Sequence, residues 1–449
     1  MKKVSIFLVV ALLSTLFVLP VSAQTTTWNS GFQVQNLSST TVASILIYYY
    51  NQDGTEAITP VSDSIDPMSS KTYFPIHAAE GFNGSVVVES TEPVVAIANT
   101  IGSTATDTNF YWASTESFSA GAQQVSLPLI MRANAGFSTW FNVQNAGASD
   151  ATVSVEYVPG SAGSAYTEPD VIIAPGASHT FDQAGLAALG TKFVGSAVIT
   201  SDVPVVATVM QVGAKTMLGY NGFTGAGSTE VALPLVMANN NGFFTGIQVQ
   251  NVGGTPTDIT VSFGANIAGA FAPVDETATL QPGASATFLQ NSGQFLTDKY
   301  VGSATITSTT EPIVAIVNQL KPGRGTAYDG FDPAAATESV SAPLIQFNPD
   351  GGWFTGIQIM NVGGSPVDIT VDYGANTAGT FAPPSENATI QPGDSYNSLQ
   401  NTAAWVAGGK YIGSAFVTAS SGGQIVMIVN QLRGNTGKDT FMTYNGFNY

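Results

Sequence analysis

The sequence contains no cysteine, and charged residues make up only 9% of it. The missing cysteine excludes a disulfide framework, a thiolate-bound zinc or iron–sulfur site, a thiol nucleophile and a lipid-modified N-terminal cysteine. Cations are the scarcer charge, 12 Lys+Arg against 30 Asp+Glu, which excludes a phosphate-tracking nucleic-acid surface. Histidine is reduced to His77 and His179. Neither lies near a Gly-x-Ser-x-Gly elbow or a His-Glu-x-x-His pair, so acid–base or metal-assisted hydrolysis has no recognisable carrier. The scattered glutamates fall on loops at non-equivalent places, which does not suit a glycosidase pair. The expected class is therefore non-enzymatic. What is plentiful is glycine, 47 residues, beside 44% hydrophobic and 10% aromatic residues, enough to build cores rather than a disordered chain. At 449 residues the chain exceeds what one core organises.

The N-terminus reads as an export signal. Met1-Lys2-Lys3 is basic, Val4 to Val18 is apolar, and Val21-Ser22-Ala23 offers small residues for cleavage before Gln24. Pro20 breaks a run already too short for a membrane span. Removing 1–23 takes away two lysines and no acid, so the processed chain carries 10 basic and 30 acidic side chains, a net charge of −20. No second span of membrane length follows. A secreted, surface-associated protein without a transmembrane segment is expected.

The remainder is a fourfold repeat. Phe32-Gln-Val-Gln-Asn36, Phe141-Asn-Val-Gln-Asn145, Ile247-Gln-Val-Gln-Asn251 and Ile357-Gln-Ile-Met-Asn361 place their asparagines at nearly equal intervals. Gly84-Ser85, Gly195-Ser196, Gly302-Ser303 and Gly413-Ser414 keep the same beat. Phe244–Asn291 and Phe354–Asn401 are identical at 32 of 48 positions. A period of roughly 100 residues is too long for a solenoid unit and matches an independent domain. The divisions are 1–23, 24–124, 125–230, 231–339 and 340–449.

Within each repeat the segments are short, β-branched and punctuated by Gly, Pro, Asn and Asp. Thr245–Asn251 and Asp258–Phe263 alternate apolar and polar residues, the period of a half-buried strand. Gln281-Pro-Gly283 makes a turn, and Tyr300–Thr307 and Ile313–Gln319 are further strands. Only the stretch around Asp182–Thr191 suggests a helical turn. The fold class is all-β, an antiparallel sandwich in each repeat. The phrases Asn251-Val-Gly-Gly, Asp258-Ile-Thr-Val and Leu280-Gln-Pro-Gly-Ala-Ser285 resemble the immunoglobulin-like β-sandwich repeats of bacterial cell-surface and secreted proteins. That resemblance implies a fold and a location for the mature chain, not an activity. With no long linker, four tandem Ig-like domains in an elongated rod are expected.

Several recurrences bear on function. Leu127-Pro128-Leu129, Leu233-Pro234-Leu235 and Ala342-Pro343-Leu344 mark a strand between repeats, at a near-constant distance ahead of the recurrent asparagine. Four repeats share three such strands, so one terminal repeat is short of one. That leaves an edge for assembly by strand addition, for Thr25-Thr-Thr-Trp28 to plug, or to stay open. Tyr220-Asn-Gly-Phe223, Tyr328-Asp-Gly-Phe331 and Tyr444-Asn-Gly-Phe447 carry aromatics that either close the end of a sandwich or stack on sugars. Lys192, Lys299 and Lys410 occupy one repeat position, with Asn318 and Asn430 on the next strand as isopeptide partners. Strand parity turns Lys299 outward and favours a lysine covering an aromatic or pairing with a carboxylate. Asp150, Asp258 and Asp368 recur at a strand start. No cofactor is expected beyond the open option of Ca2+ at repeat junctions. The leading reading is a structural or adhesion protein, a surface rod or filament subunit that self-associates or binds other surface proteins. The other is a glycan- or cell-wall-binding protein.

Overall fold

The computed structural model describes residues 6–10, 26–104, 110–434 and 438–449, with the backbone alone for 6–10. The expected cleavage site, Val21-Ser22-Ala23, lies outside the described residues. The protein is all-β, built from antiparallel sheets. Among the described residues no helix is long and apolar enough to cross a membrane. Repeat 3 shows the plan. An outer sheet orders Glu230–Ala238, Tyr300–Ser308, Thr257–Phe263 and Glu276–Leu280. An inner sheet orders Ser285–Leu289, Phe244–Asn251, Ile313–Lys321 and Arg324–Asp329. Alternation along these strands turns Ile247, Val249, Ile259, Val261, Ile306 and Val317 into one buried cluster. Comparable clusters lie in each of the other repeats. In repeat 2 a single strand of 20 residues, Phe193–Val212, serves both layers. The expected helical turn is a 3-10 turn at Ala187–Leu189. It recurs at Gly293–Phe295 and becomes a short α-helix at Ala403–Gly408.

The recurrent asparagine is a turn clamp. In all four repeats its buried Nδ2 donates to the carbonyl four or five residues on: Thr41, Ser149, Thr255 and Ser365, each at 2.8 Å. It also donates to Ile65, Ile173, Leu280 and Ile390 across the sandwich. Its Oδ1 accepts from the N–H two residues on. A buried amide so fully bonded fixes the strand exit and leaves no side-chain chemistry free.

The chain is not a rod. The innermost strands of the repeats touch in a closed cycle: Tyr111–Glu116, Met217–Asn221, Arg324–Asp329, Phe441–Asn445 and back to Tyr111–Glu116. The recurrent Gly-Ser phrase supplies a latch at every step. Ser85 Oγ donates to the Gly176 carbonyl, Ser196 to Gly283, Ser303 to Gly393 and Ser414 to Met68. Each acceptor is the left-handed residue of a Pro-X turn, at φ 73°, 73°, 76° and 55° respectively. The glycine beside each latching serine is required by a close backbone pass: a Cβ on Gly84 would lie 1.9 Å from the Tyr50 carbonyl oxygen. The fourth latch, from repeat 4 to repeat 1, is what an extended string of beads cannot make. The tandem order persists, but the string closes into a ring.

The strand between repeats belongs to the repeat that follows it. Ala122–Arg132 pairs with Phe193–Val212, Glu230–Ala238 with Tyr300–Ser308, and Ser339–Asn348 with Tyr411–Ala419. The register shifts beside Pro128, Pro234 and Pro343, where the missing N–H breaks the ladder. Repeat 1 has no such strand of its own, and its edge Gly84–Ser90 is met instead by Ile6–Val10. Thr27 and Trp28 do not plug it, because they pair with Ser103 and Gly102 in the inner sheet.

Candidate functional site

The closed cycle of inner strands creates the most unusual chemistry in the molecule. Ladder register makes Glu116, Asn221, Asp329 and Asn445 equivalent, each facing the corresponding residue Ile97, Thr208, Ile316 or Ile428 of the preceding strand. The ring closure brings these four together. Asn221 N–H donates to Asp329 Oδ2 at 3.3 Å, and Asp329 N–H to Asn445 Oδ1 at 3.2 Å. Asn445 N–H donates to Glu116 Oε1. The amides bond back, Asn221 Nδ2 to the Glu116 carbonyl at 2.9 Å and Asn445 Nδ2 to the Asp329 carbonyl at 2.7 Å. Burial pushes Glu116 up to about 7. Burial, reinforced by the Glu116 charge, holds Asp329 well above the usual carboxylate range. Asp329 Oδ1 and Asn221 Oδ1 have no protein partner. Two carboxyls with an amide oxygen are the hard donor types that a cation such as Ca2+ takes. Among the described residues no group of three or more His, Cys, Asp or Glu is arranged to hold a metal.

At the opposite end of the cycle Asp439 joins three repeats. Its Oδ2 accepts from Met217 N–H at 2.7 Å and its Oδ1 from Gly325 N–H at 3.0 Å. Burial raises this carboxyl well above its ordinary range, despite those two donors. Between the two carboxyl layers lie reciprocal amide pairs. Gln211 and Asn318 bond each other at 2.9 and 2.7 Å, and Gln319 and Asn430 do so at 3.0 Å. Gln431 reaches repeat 1 through Ser114 Oγ at 3.0 Å and Asn99 at 3.5 Å. At the step from repeat 1 to repeat 2 the matching residues are Thr100 and Met210. There Tyr111, Ala113, Trp140, Met210 and Met217 pack as an apolar cluster instead.

The junctions also differ in how well they are filled. Phe243 packs on Phe441 at 5.3 Å between repeats 3 and 4, and Trp353 on Trp112 at 5.0 Å between repeats 4 and 1. The register position of Phe441 and Trp112 is held by Gly325 in repeat 3. At that junction, between repeats 2 and 3, an apolar cleft of about 440 Å³ opens, lined by Leu129, Phe137, Leu218, Phe244, Leu289 and Leu320.

The residues singled out by sequence fall as follows. Leu127 and Leu233 are fully buried, and Pro128, Leu129, Pro234, Leu235, Pro343 and Leu344 are buried beside them. Tyr220, Tyr328 and Tyr444 are at most 1% exposed, so they are not sugar-stacking surfaces. Each hydroxyl donates to the leading strand of its own repeat, at Leu129, Leu235 and Leu344, and accepts the same residue's N–H. Phe223 and Phe331 bridge to Ser126 and Ala232 of those strands, and Phe447 pairs with Ser341. These aromatics close the sandwich. Lys192 and Lys299 are exposed, while Asn318 and Asn430 are bonded to glutamines of the neighbouring repeat, so the isopeptide reading is wrong. Asp258 and Asp368 accept from Thr279 and Thr389 on the exposed sheet face, and Asp150 is exposed. His77 contacts Tyr49 Oη, and His179 packs on Phe181.

Glu116, Asn221, Asp329, Asn445 and Asp439 were missed by sequence reasoning. Their types differ, Glu, Asn, Asp and Asn, so only strand alignment of Tyr-[Asn/Asp]-Gly-Phe with Thr115-Glu-Ser-Phe118 would have found four of them.

No protein-family model matches the chain, and no curated protein does. Among solved structures it is similar to the one titled "Crystal Structure of Thermotoga maritima 1070", at 22% identity and a TM-score of 0.20. That match covers 24% of this chain and 98% of the other, and carries no functional inference.

Proposed function

We propose that the protein is a non-enzymatic, exported structural or adhesion protein that acts as a rigid frame at the cell surface. The supporting observation is the fourfold latch, Ser85, Ser196, Ser303 and Ser414, which holds four similar outer sheets at fixed spacing. A frame of that kind suits multivalent contact with a repetitive surface, where fixed geometry raises avidity without new contacts. The repeats read as Ig-like sandwiches, and the net charge of −20 of the processed chain keeps copies apart. The test is to recover the native protein from its cells. It should lie in the outer or secreted fraction, begin at Gln24 and bind whole cells or their partner surface proteins. A cytosolic chain that retains residues 1–23 overturns the reading.

The glycan-binding alternative draws on one specific feature. The outer sheets of repeats 3 and 4 turn a hydroxyl- and amide-rich face outward, with Thr277, Thr279 and Thr307 in one and Asn387, Thr389 and Thr418 in the other. In repeat 4 this face forms a shallow polar trough with Asp368 and Thr370. Polar rows of this type hydrogen-bond to sugar hydroxyls. Saturable binding to cell-wall polysaccharide that is lost on Thr389→Val with Thr418→Val would favour this reading.

A further inference from the structure

In repeats 2, 3 and 4 the strand that carries Gly-Ser has its own leading strand along one edge. That partner puts Val125 and Leu127, Val231 and Leu233, or Val340 and Ala342 into the core. It runs the full edge, reaching Gly195 through Ile130, Gly302 through Val236 and Gly413 through Ile345. In repeat 1 the corresponding strand, Gly84–Ser90, is met by Ile6–Val10. Among the described residues that pairing runs from Ile6 opposite Ser90 to Val10 opposite Val86. Ile6–Val10 belong to the apolar stretch of the export signal. Once residues 1–23 are removed nothing upstream can replace them, because Thr27–Asn36 is already a central strand of the inner sheet.

We propose that processing opens an acceptor groove along Gly84–Ser90, and that the groove takes an extended strand from a different protein. This rests on the export reading. The occupant's chemistry follows from the three strands that fill the equivalent places: uncharged between its ends, apolar at alternate positions, with a proline at the ladder break, as in Val125-Ser-Leu-Pro-Leu129. Val86 and Val88, both fully buried, form the floor that such a strand covers. A second copy is not the donor. Its three strands of this type are internal, and each is held by two hydrogen bonds to a buried tyrosine. Backbone pairing supplies affinity and the alternating side chains supply selectivity.

The probe is a synthetic peptide with the sequence Ala122–Arg132, added to the chain 24–449. Expected results are saturable binding and at least tenfold slower amide exchange across Val86–Ser90, both lost with Leu127→Asp in the peptide. A second version carries the same sequence joined by a short linker ahead of Trp28. It is expected to melt several degrees higher than the chain 24–449 and to bind no peptide. A chain 24–449 that is monomeric, binds no peptide and melts with the fused version overturns the groove. The export reading is judged separately: a native protein that retains Ile6–Val10 defeats that premise, whereas one starting at Gln24 that ignores the peptide defeats only the groove.

Discussion

The junction between repeats 3 and 4 and the junction between repeats 2 and 3 use the same strands, the same Gly-Ser latch and the same amide pair. They differ in the side chains on the later strand, where Phe441 and Thr443 of repeat 4 stand at the register positions of Gly325 and Ala327 in repeat 3. Phe441 packs on Phe243 at the first, whereas the second holds a 440 Å³ apolar cleft lined by Leu129, Phe137, Leu218 and Phe244. Backbone pairing thus sets where repeats meet, and single side chains set how tightly. The junction between repeats 1 and 2 makes the same point in polar terms, since Thr100 and Met210 replace the amide pair and an apolar cluster takes over.

The largest test of this contrast is Phe441→Ala. Removing a buried ring should cost about 4 kcal/mol and open a cleft like that between repeats 2 and 3, seen as a lower denaturation midpoint with binding of a small apolar dye. Next is pH. Glu116 and Asp329 have raised pKa values in the ring, so their protonated forms favour the folded state. The stability they allow is fully present below the unfolded carboxylate pKa of about 4 and is lost as pH rises through Glu116's value near 7. The melting temperature should fall across that window, and Glu116→Gln should flatten the fall. Unchanged melting between pH 5 and 8 in both proteins would remove the axial carboxyls from the account of ring closure.

Smaller effects separate the polar and apolar junctions. Asn318→Ala leaves the buried Gln211 amide unpaired and should cost about 2 kcal/mol in urea unfolding. The pair Gln211→Thr with Asn318→Met transplants the chemistry of the first junction and should cost less than about 1 kcal/mol, because both partners change together. An effect of similar size is expected at the latch that closes the ring. Its acceptor Met68 holds φ 55° where the other repeats have glycine. Met68→Gly should therefore stabilise the protein by roughly 1 kcal/mol. Ring closure itself is checked by X-ray scattering. A compact chain of this length has a radius of gyration of about 22 Å, and four domains end to end would give about 40 Å.

The strand pattern was legible in the sequence because period-2 alternation and Pro-Gly turns are local signals, though the divisions at 124/125, 230/231 and 339/340 fall inside the leading strands Ala122–Arg132, Glu230–Ala238 and Ser339–Asn348. The leading strand was legible, though not its owner. The carboxyl layer was not, since Glu116 and Asp329 sit in unlike local phrases of different repeats and meet only when repeat 4 returns to repeat 1.

By itself, then, the sequence determined the all-β class and the fourfold repeat, because those depend on contacts within a single repeat. The tertiary structure alone decided that the string closes into a ring. It also decided which buried acids face one another and which repeat owns each leading strand. Such outcomes hang on the angle between successive repeats, a quantity summed over the whole chain that no local pattern encodes.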